Sequence, residues 1–418
     1  MSLRIAIIGA GPVGLTLARL LHALNKPNLE VVVFESEASR YARQQGGTLD
    51  LHPDTGLAAL KEAGLWDEFK TRVRYDGEAL IICDKKLVKY LSLTPKDEQS
   101  SAGRPEIDRS SLREMLLDSV PSEMIRWGFR LREIDENRNL IFDHGVESGF
   151  DLIVGADGAW SKIRKYLSDE KPHYSGIGGY IFHIPNAEER APEAFKLTNR
   201  GSVFSFSDGR SIMSQYISDG SLYVNAWCPL PETWRENLSH DADDTEAIKK
   251  WVLDQFHDWH PDLVDFIKLA EQPSSSSLYE LPVGWRWESR PGVTLIGDAA
   301  HLMTPFAGEG VNVGMQDSLM LSRAIGKALE SPDPATQFNT TELVNFEEDL
   351  FVRGERVTSL TKDMMNWMMF SDGSPRSVID KYILRIITFH DKGVRDYLRY
   401  PLLKGSLKSW YFLYRLFH

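Results

Sequence analysis

Short apolar runs with strand character alternate along this chain with longer runs of helical period, and glycines and acids punctuate the joins. Arg4–Ile8 is an apolar strand, followed at once by Gly9-Ala-Gly11-Pro-Val-Gly14 and a helical run from Leu15 to Leu24. Val31–Phe34 is a second strand, ending at Glu35, 21 positions after Gly14. A polar, glycine-paired loop precedes a helix at Thr55–Ala63, and Asp108 or Ser110 can cap another. The strand Phe150–Val154 runs into Gly155-Ala-Asp157-Gly158, and Val293–Ile296 delivers Asp298. After Asp298 come Pro305, Gly308 and Gly310, then a helical pattern from Val311 onward. Ser175–Gly179 is rich in glycine and reads as a flexible turn.

The middle changes period. Ser202–Phe206, Ser211–Ile217 and Leu222–Cys228 alternate as strands, separated by Asp208-Gly209 and Asp219-Gly220. Such dipeptides are hairpin turns, so an antiparallel meander is expected. On its last strand Leu222, Val224, Ala226 and Cys228 share the core face, while Tyr223, Asn225 and Trp227 share the other. That second face suits either a cavity wall or an exposed sheet surface. Residues 245–270 are helical by spacing. The serine run 274–277 reads as a connector before a strand at Leu278–Leu281. Ser331-Pro-Asp-Pro334 breaks the chain ahead of a long helix, Glu342–Phe370, whose Met364, Met365, Met368 and Met369 are core filler.

Composition narrows the field. The 418 residues suit about two to three domain-sized units. A net charge of −12 argues against a nucleic-acid partner. Cys83 and Cys228 cannot build a disulfide framework, which points to a reducing, cytoplasmic setting. The first 15 residues lack a signal-peptide pattern, and no apolar run approaches the ~20 residues needed to span a bilayer. Residues 376–418 carry nine Lys/Arg against three Asp and are rich in aromatics, so this end is +6 within an acidic chain. It suits a terminal helix packed on the domains, or less well an anionic membrane surface.

The first motif sets the chemistry. Strand, GxGxxG turn, helix, strand and acid are the dinucleotide fingerprint in its full setting. Gly9, Gly11 and Gly14 allow a tight turn and close approach to a pyrophosphate, and Glu35 suits ribose hydroxyls. Two further strand–Gly/Asp elements, at 155–158 and 297–310, suggest one extended anionic cofactor site. Asp298 can accept hydrogen bonds from sugar-like hydroxyls, and the helix start at Gly310–Asn312 favours negative charge. His, Cys and acidic residues show no metal-ligand spacing, and no Gly-x-Ser-x-Gly elbow is present.

Gly9–Gly14 with Glu35, Gly155–Gly158, and Gly297-Asp298 through Asn312 together resemble the single-component (class A) FAD-dependent monooxygenases, the group of para-hydroxybenzoate hydroxylase. Gly46–His52, Pro105–Arg109, Trp160–Arg164 and Leu295–Gly308 look most like the tetracycline-inactivating members. The resemblance implies an α/β fold with a Rossmann-like FAD domain from 1–75, 105–172 and 282–370. An α+β substrate domain with an antiparallel sheet would come from 76–104 and 173–281, and a C-terminal helical extension from 371–418. It implies that NADPH reduces FAD and that O₂ forms a flavin 4a-hydroperoxide, which delivers one oxygen to an aromatic or polycyclic small molecule by hydroxylation, epoxidation or Baeyer–Villiger insertion. Glu35, Asp50, Arg109 and Asp298 would contact FAD and Arg43 would meet NADPH; Gly9, Gly11, Gly14, Gly47, Asp157, Gly310, Val311 and Asn312 complete the cofactor set. Substrate candidates are His183, Ser202, Met213, Tyr223, Asn225 and Phe306. Where tetracycline hydroxylases present Gln, Arg and His, this chain has His183, Ser202 and Tyr223, so tetracycline is not the expected native substrate. No catalytic base stands out. Two rival readings are a flavin-binding or drug-sequestering protein without turnover, and a flavin halogenase suggested by Trp285-Arg-Trp287.

Overall fold

The computed structural model describes residues 2–42, 46–94, 103–238, 241 and 243–390. They fall into two compact units, one within 1–78, 95–175 and 278–359, the other within 79–94, 176–277 and 360–418.

The first unit is built on a five-stranded parallel sheet in the order Val293–Leu295, Leu152–Gly155, Leu3–Ile8, Leu29–Glu35, Ile125–Trp127. Its strands are continuous apolar runs because helices cover both faces. Leu3, Ile5 and Ile7 on the central strand are fully buried, each stabilising the fold by about 1.5–3 kcal/mol. Leu3–Ile8 is also where the strand order reverses, since the next strand in sequence lies on one side and Leu152–Gly155 on the other. Ligands of open parallel sheets bind at such a point, beyond the carboxyl ends of the strands. The glycine turn leaves Leu3–Ile8 at that end and starts the helix Pro12–Ala23, with Pro12 pre-set for the first helical position. The helix Gly310–Ala328 packs beside it, with Ser318 Oγ donating to Val13 O at 2.8 Å.

The second unit contains a seven-stranded sheet in the order Glu271–Glu280, His173–Ile184, Leu222–Pro229, Arg210–Tyr216, Ser202–Ser207, Leu80–Cys83, Lys89–Leu93. The predicted meander is present. Asp208 and Gly209 both take positive φ, as a tight hairpin turn requires. Leu222, Val224, Ala226 and Cys228 are buried with Phe182, Ile212 and Val203 under the helices Pro192–Thr198, Thr245–Gln255 and Pro261–Lys268. The four methionines of the long helix, observed at Leu343–Phe370, are buried.

Two sequence expectations fail in this sheet. Ser175–Gly179 is not a turn but lies within the strand His173–Ile184. Its glycines answer a packing demand instead: a Cβ on Gly178 would lie 2.5 Å from Trp234 Nε1, and one on Gly179 only 1.9 Å from Ala226 O. The serine run is not a connector either, because it sits inside the edge strand Glu271–Glu280. There Ser277 Oγ accepts from Trp234 Nε1 at 2.9 Å and Ser275 Oγ from Arg235 Nε at 3.0 Å. Asp108 does occupy the N-cap of the helix Arg109–Asp118, yet its side chain makes no capping bond and lies 3.9 Å from Arg74.

Candidate functional site

At the glycine turn, space is allotted residue by residue. Gly9 has φ +109° and its added Cβ would meet Ala156 O at 2.4 Å; that of Gly14 would meet Gly9 O at 2.1 Å. Both positions are closed by backbone. Gly11 differs, since a Cβ there meets nothing within 4 Å. The turn is therefore packed on the protein side and open at its middle glycine, at the start of a helix with no acid in its first turn. That arrangement leaves amide donors for an anion. Glu35 ends the adjacent strand, with Oε2 accepting from Ala10 N at 2.6 Å and Oε1 from Glu37 N at 2.9 Å. A carboxylate has roughly four acceptor sites, so capacity for a hydroxyl remains. Arg113 braces the turn by donating to Ala10 O, Arg40 O and Glu37.

Farther along, Asp298 follows Gly297, whose positive φ of 61° turns the chain out of the Val293–Leu295 strand. Asp298 is exposed, yet the surrounding protein pushes its carboxyl above the usual range, with His301, Arg109 and Arg164 pulling the other way. Both hold if it lines a concavity, where solvent reaches the side chain while protein surrounds most of it. Asp157 behaves alike: it is half-buried and raised by desolvation, with Ser161 and Lys162 opposing. Its Oδ2 accepts from Lys162 N at 2.7 Å, while Oδ1 is buried without a hydrogen-bond partner. Arg164 runs between these acids, donating to Asp298 O and Ala299 O. An added Cβ on Gly310 would lie 4.0 Å from Asp298 Oδ1, and one on Gly308 3.5 Å from Asp50 Oδ1. Arg109 is exposed at its helix start, where its amide donates to Gly47 O at 3.1 Å. The structure thus gathers Gly47, Asp50, Arg109, Asp157, Asp298 and Gly310 on one wall. The open cradle at Gly11 and the orphaned Asp157 oxygen fit an extended dinucleotide bearing hydroxyls.

Asn312 is used otherwise. Its side chain is fully buried, accepting from His52 N at 2.8 Å and Thr55 Oγ at 3.1 Å and donating to Asp50 O at 2.8 Å. It ties the Thr48–Asp50 strand to the helix Gly310–Ala328, so its side chain is occupied within the protein. Arg43 lies outside the described residues, as does the basic, aromatic segment 391–418. Phe306 is buried in the short helical turn Pro305–Ala307. Trp287 is committed to the core: its indole donates to Glu347 Oε1 at 3.0 Å and packs on Trp285 and Phe351. That use explains Trp285-Arg-Trp287 without halogenation.

Two buried histidines were missed in the sequence. His52 Nε2 lies 2.9 Å from Asp50 Oδ2 and its Nδ1 3.3 Å from Glu309 Oε2. Burial lowers its affinity for a proton, but the hydrogen bonds to Asp50 and Glu309 outweigh this and raise its pKa from 6.5 to about 9. A histidine raised on folding contributes stability that is complete below its unfolded value and lost as pH climbs through the folded one. The melting midpoint of the wild type should therefore fall between pH 6.5 and about 9, and His52→Gln should flatten that fall. An unchanged slope in His52→Gln, followed by calorimetry, would remove His52 as its source. His301, the second histidine, pairs with Asp317. The only sequence signal for either was a histidine close to a motif acid; their partners lie elsewhere in the chain.

In the second unit the four adjacent strands align three rows of side chains on the face away from the helices. One row is His183, Tyr223, Gln215 and Ser202; the next is Ile181, Asn225, Met213 and Phe204; the third is Gly179, Trp227, Ser211 and Phe206. Five of the six substrate candidates fall on this one face. Gln215 and Phe204 were missed, though counting by twos from the Asp208-Gly209 turn would have placed them.

Residues 2–337 match the FAD binding domain family. The chain is 30% identical over 411 residues to the monooxygenase penA of Penicillium thymicola, covering 86% of this chain and 93% of that relative. Its fold is similar to that of HpxO from Klebsiella pneumoniae solved with FAD and uric acid, with TM-score 0.71, 19% identity, and 97% and 96% of the two chains covered. It is also similar to the tetracycline destructase Tet(51), with TM-score 0.66, 17% identity, and 93% and 96% covered.

Proposed function

The chain belongs to the FAD-binding family of flavin-dependent monooxygenases, and from that premise we propose that it uses NADPH and O₂ to insert one oxygen atom into an aromatic or polycyclic small molecule. The observation that carries this reading is that three adjacent parallel strands, Val293–Leu295, Leu152–Gly155 and Leu3–Ile8, each run into a glycine turn at the same sheet edge, together with a mixed polar and apolar sheet face in the second unit. When bound, FAD supplies the reducible ring that activates dioxygen.

The protein's part is to bind, orient and shield. Backbone amides at Gly9–Gly14 hold the pyrophosphate, and Glu35 takes ribose hydroxyls. Asp298 accepts from the ribityl chain, with Asp50, Asp157 and Arg109 completing that wall. The start of the helix Gly310–Ala328 stabilises negative charge at the ring end. Arg43 receives NADPH. The second unit holds the substrate, with His183, Ser202, Met213, Tyr223 and Asn225 around it. Tetracycline is a poor fit, because Ser202 and Tyr223 do not replace a forked cationic donor.

Isotopically labelled dioxygen tests the reading. Purified protein supplied with FAD, NADPH and a panel of aromatics should give a product carrying one labelled oxygen, with NADPH oxidation accelerated by that substrate. Stoichiometric binding without NADPH consumption would instead support sequestration.

A further inference from the structure

We infer that the substrate is an uncharged, flat, largely apolar molecule with hydroxyl, carbonyl or amide groups along one edge, and that a carboxylate is selected against. The inference rests on the reading that this sheet face, whose first two rows are mostly half-buried, holds the substrate. Its ground is what the twelve aligned positions lack: none is Lys, Arg, Asp or Glu. A carboxylate drawn from water onto such a face loses hydration and finds no Lys or Arg to replace it, His183 being the one side chain in the three rows that can take up a proton.

What the face does carry is ordered. Tyr223, Gln215 and Ser202 in the first row offer neutral donors and acceptors, suited to a phenol, carbonyl or amide edge. One register step away, Ile181, Met213 and Phe204 present an apolar surface for a flat ring system, interrupted only by Asn225. In the third row Ser211 is fully buried, and its hydroxyl has no hydrogen-bond partner. All four residues of that row are buried, so the ligand is placed against the first two rows.

The test uses the FAD-loaded protein and a matched pair of ligands, naphthol and hydroxynaphthoate, which differ by one carboxylate. Binding is read from perturbation of the flavin spectrum and from tryptophan fluorescence, independently of turnover. Naphthol is expected to bind at least about tenfold tighter. Asn225→Arg, which sets a forked cation on this half-buried position, should improve hydroxynaphthoate binding about tenfold and close the gap. Gln215→Arg repeats the test one row away if the first variant loses flavin. Equal or tighter binding of the carboxylate by wild type, or no binding of naphthol, overturns the inference. The monooxygenase reading fails by a different result: no ligand of either kind stimulates NADPH oxidation or takes up labelled oxygen, whichever one binds.

Discussion

Gly14→Ala should leave the protein unable to hold its fold, whereas Gly11→Ala, three residues away, should fold normally and fail to hold FAD. The two positions differ in what a methyl group meets. At Gly14 it would stand 2.1 Å from Gly9 O and 3.2 Å from the Ala156 methyl, so the helix Pro12–Ala23 would have to leave the strand it packs on. Such overpacking against backbone costs about 3 kcal/mol or more. At Gly11 the methyl meets no protein atom within 4 Å, and the backbone there (φ −77°, ψ 175°) suits any residue. Its Cβ instead enters the space above the amide donors of the helix start, where a pyrophosphate must come close. Urea unfolding of the apoprotein and FAD titration separate the two effects. The expected pattern is Gly14→Ala unstable, and Gly11→Ala stable with FAD affinity at least about tenfold weaker. A Gly11→Ala protein that binds FAD like wild type would move the pyrophosphate elsewhere.

Asp317→Asn should destabilise the first unit by about 3–5 kcal/mol, because it breaks a buried ionic cluster while leaving its other members in place. Asp317 is fully buried, with Oδ2 2.5 Å from His301 Nε2 and 3.1 Å from Gly297 N, and Oδ1 3.1 Å from Arg353 Nη2. Burial works against both charges. The pair nonetheless holds His301 above its ordinary pKa and Asp317 below its own. The stabilisation from Asp317 is present above its unfolded value and lost as pH falls through the depressed one. That from His301 is present below its unfolded value and lost as pH rises through the raised one. Asparagine keeps the shape and removes the charge, so the loss reads the electrostatics. It should also reduce flavin retention, since Asp317 fixes the Gly297 turn that aims Asp298. A change below about 1 kcal/mol in urea unfolding would show that the cluster is not a stabilising one.

Much of this architecture was legible in local pattern. The Gly9–Gly14 turn, the Leu222–Cys228 alternation and the helix from Val311 each follow from spacing that one stretch of chain carries by itself. The errors came where meaning depends on a distant partner. Gly178 reads as loop chemistry until Trp234 is seen filling the space a side chain would take. The side-chain role of Asn312 was equally hidden, because its amide oxygen accepts from His52 N, 260 residues earlier. His301 stood in plain view beside Asp298, yet Asp317 lies 16 residues further along, about two turns into the helix Gly310–Ala328. The substrate face was half legible. Tyr223 and Asn225 came from alternation on one strand, whereas the uncharged rows emerge only when four strands are set in register.

Dioxygen labelling in the presence of an uncharged polycyclic phenol tests the account most directly. Purified protein loaded with FAD and supplied with NADPH should transfer one labelled oxygen atom into the phenol, with NADPH oxidised faster than without it. Retention of FAD and binding of the phenol without any label in the recovered ligand would contradict the account.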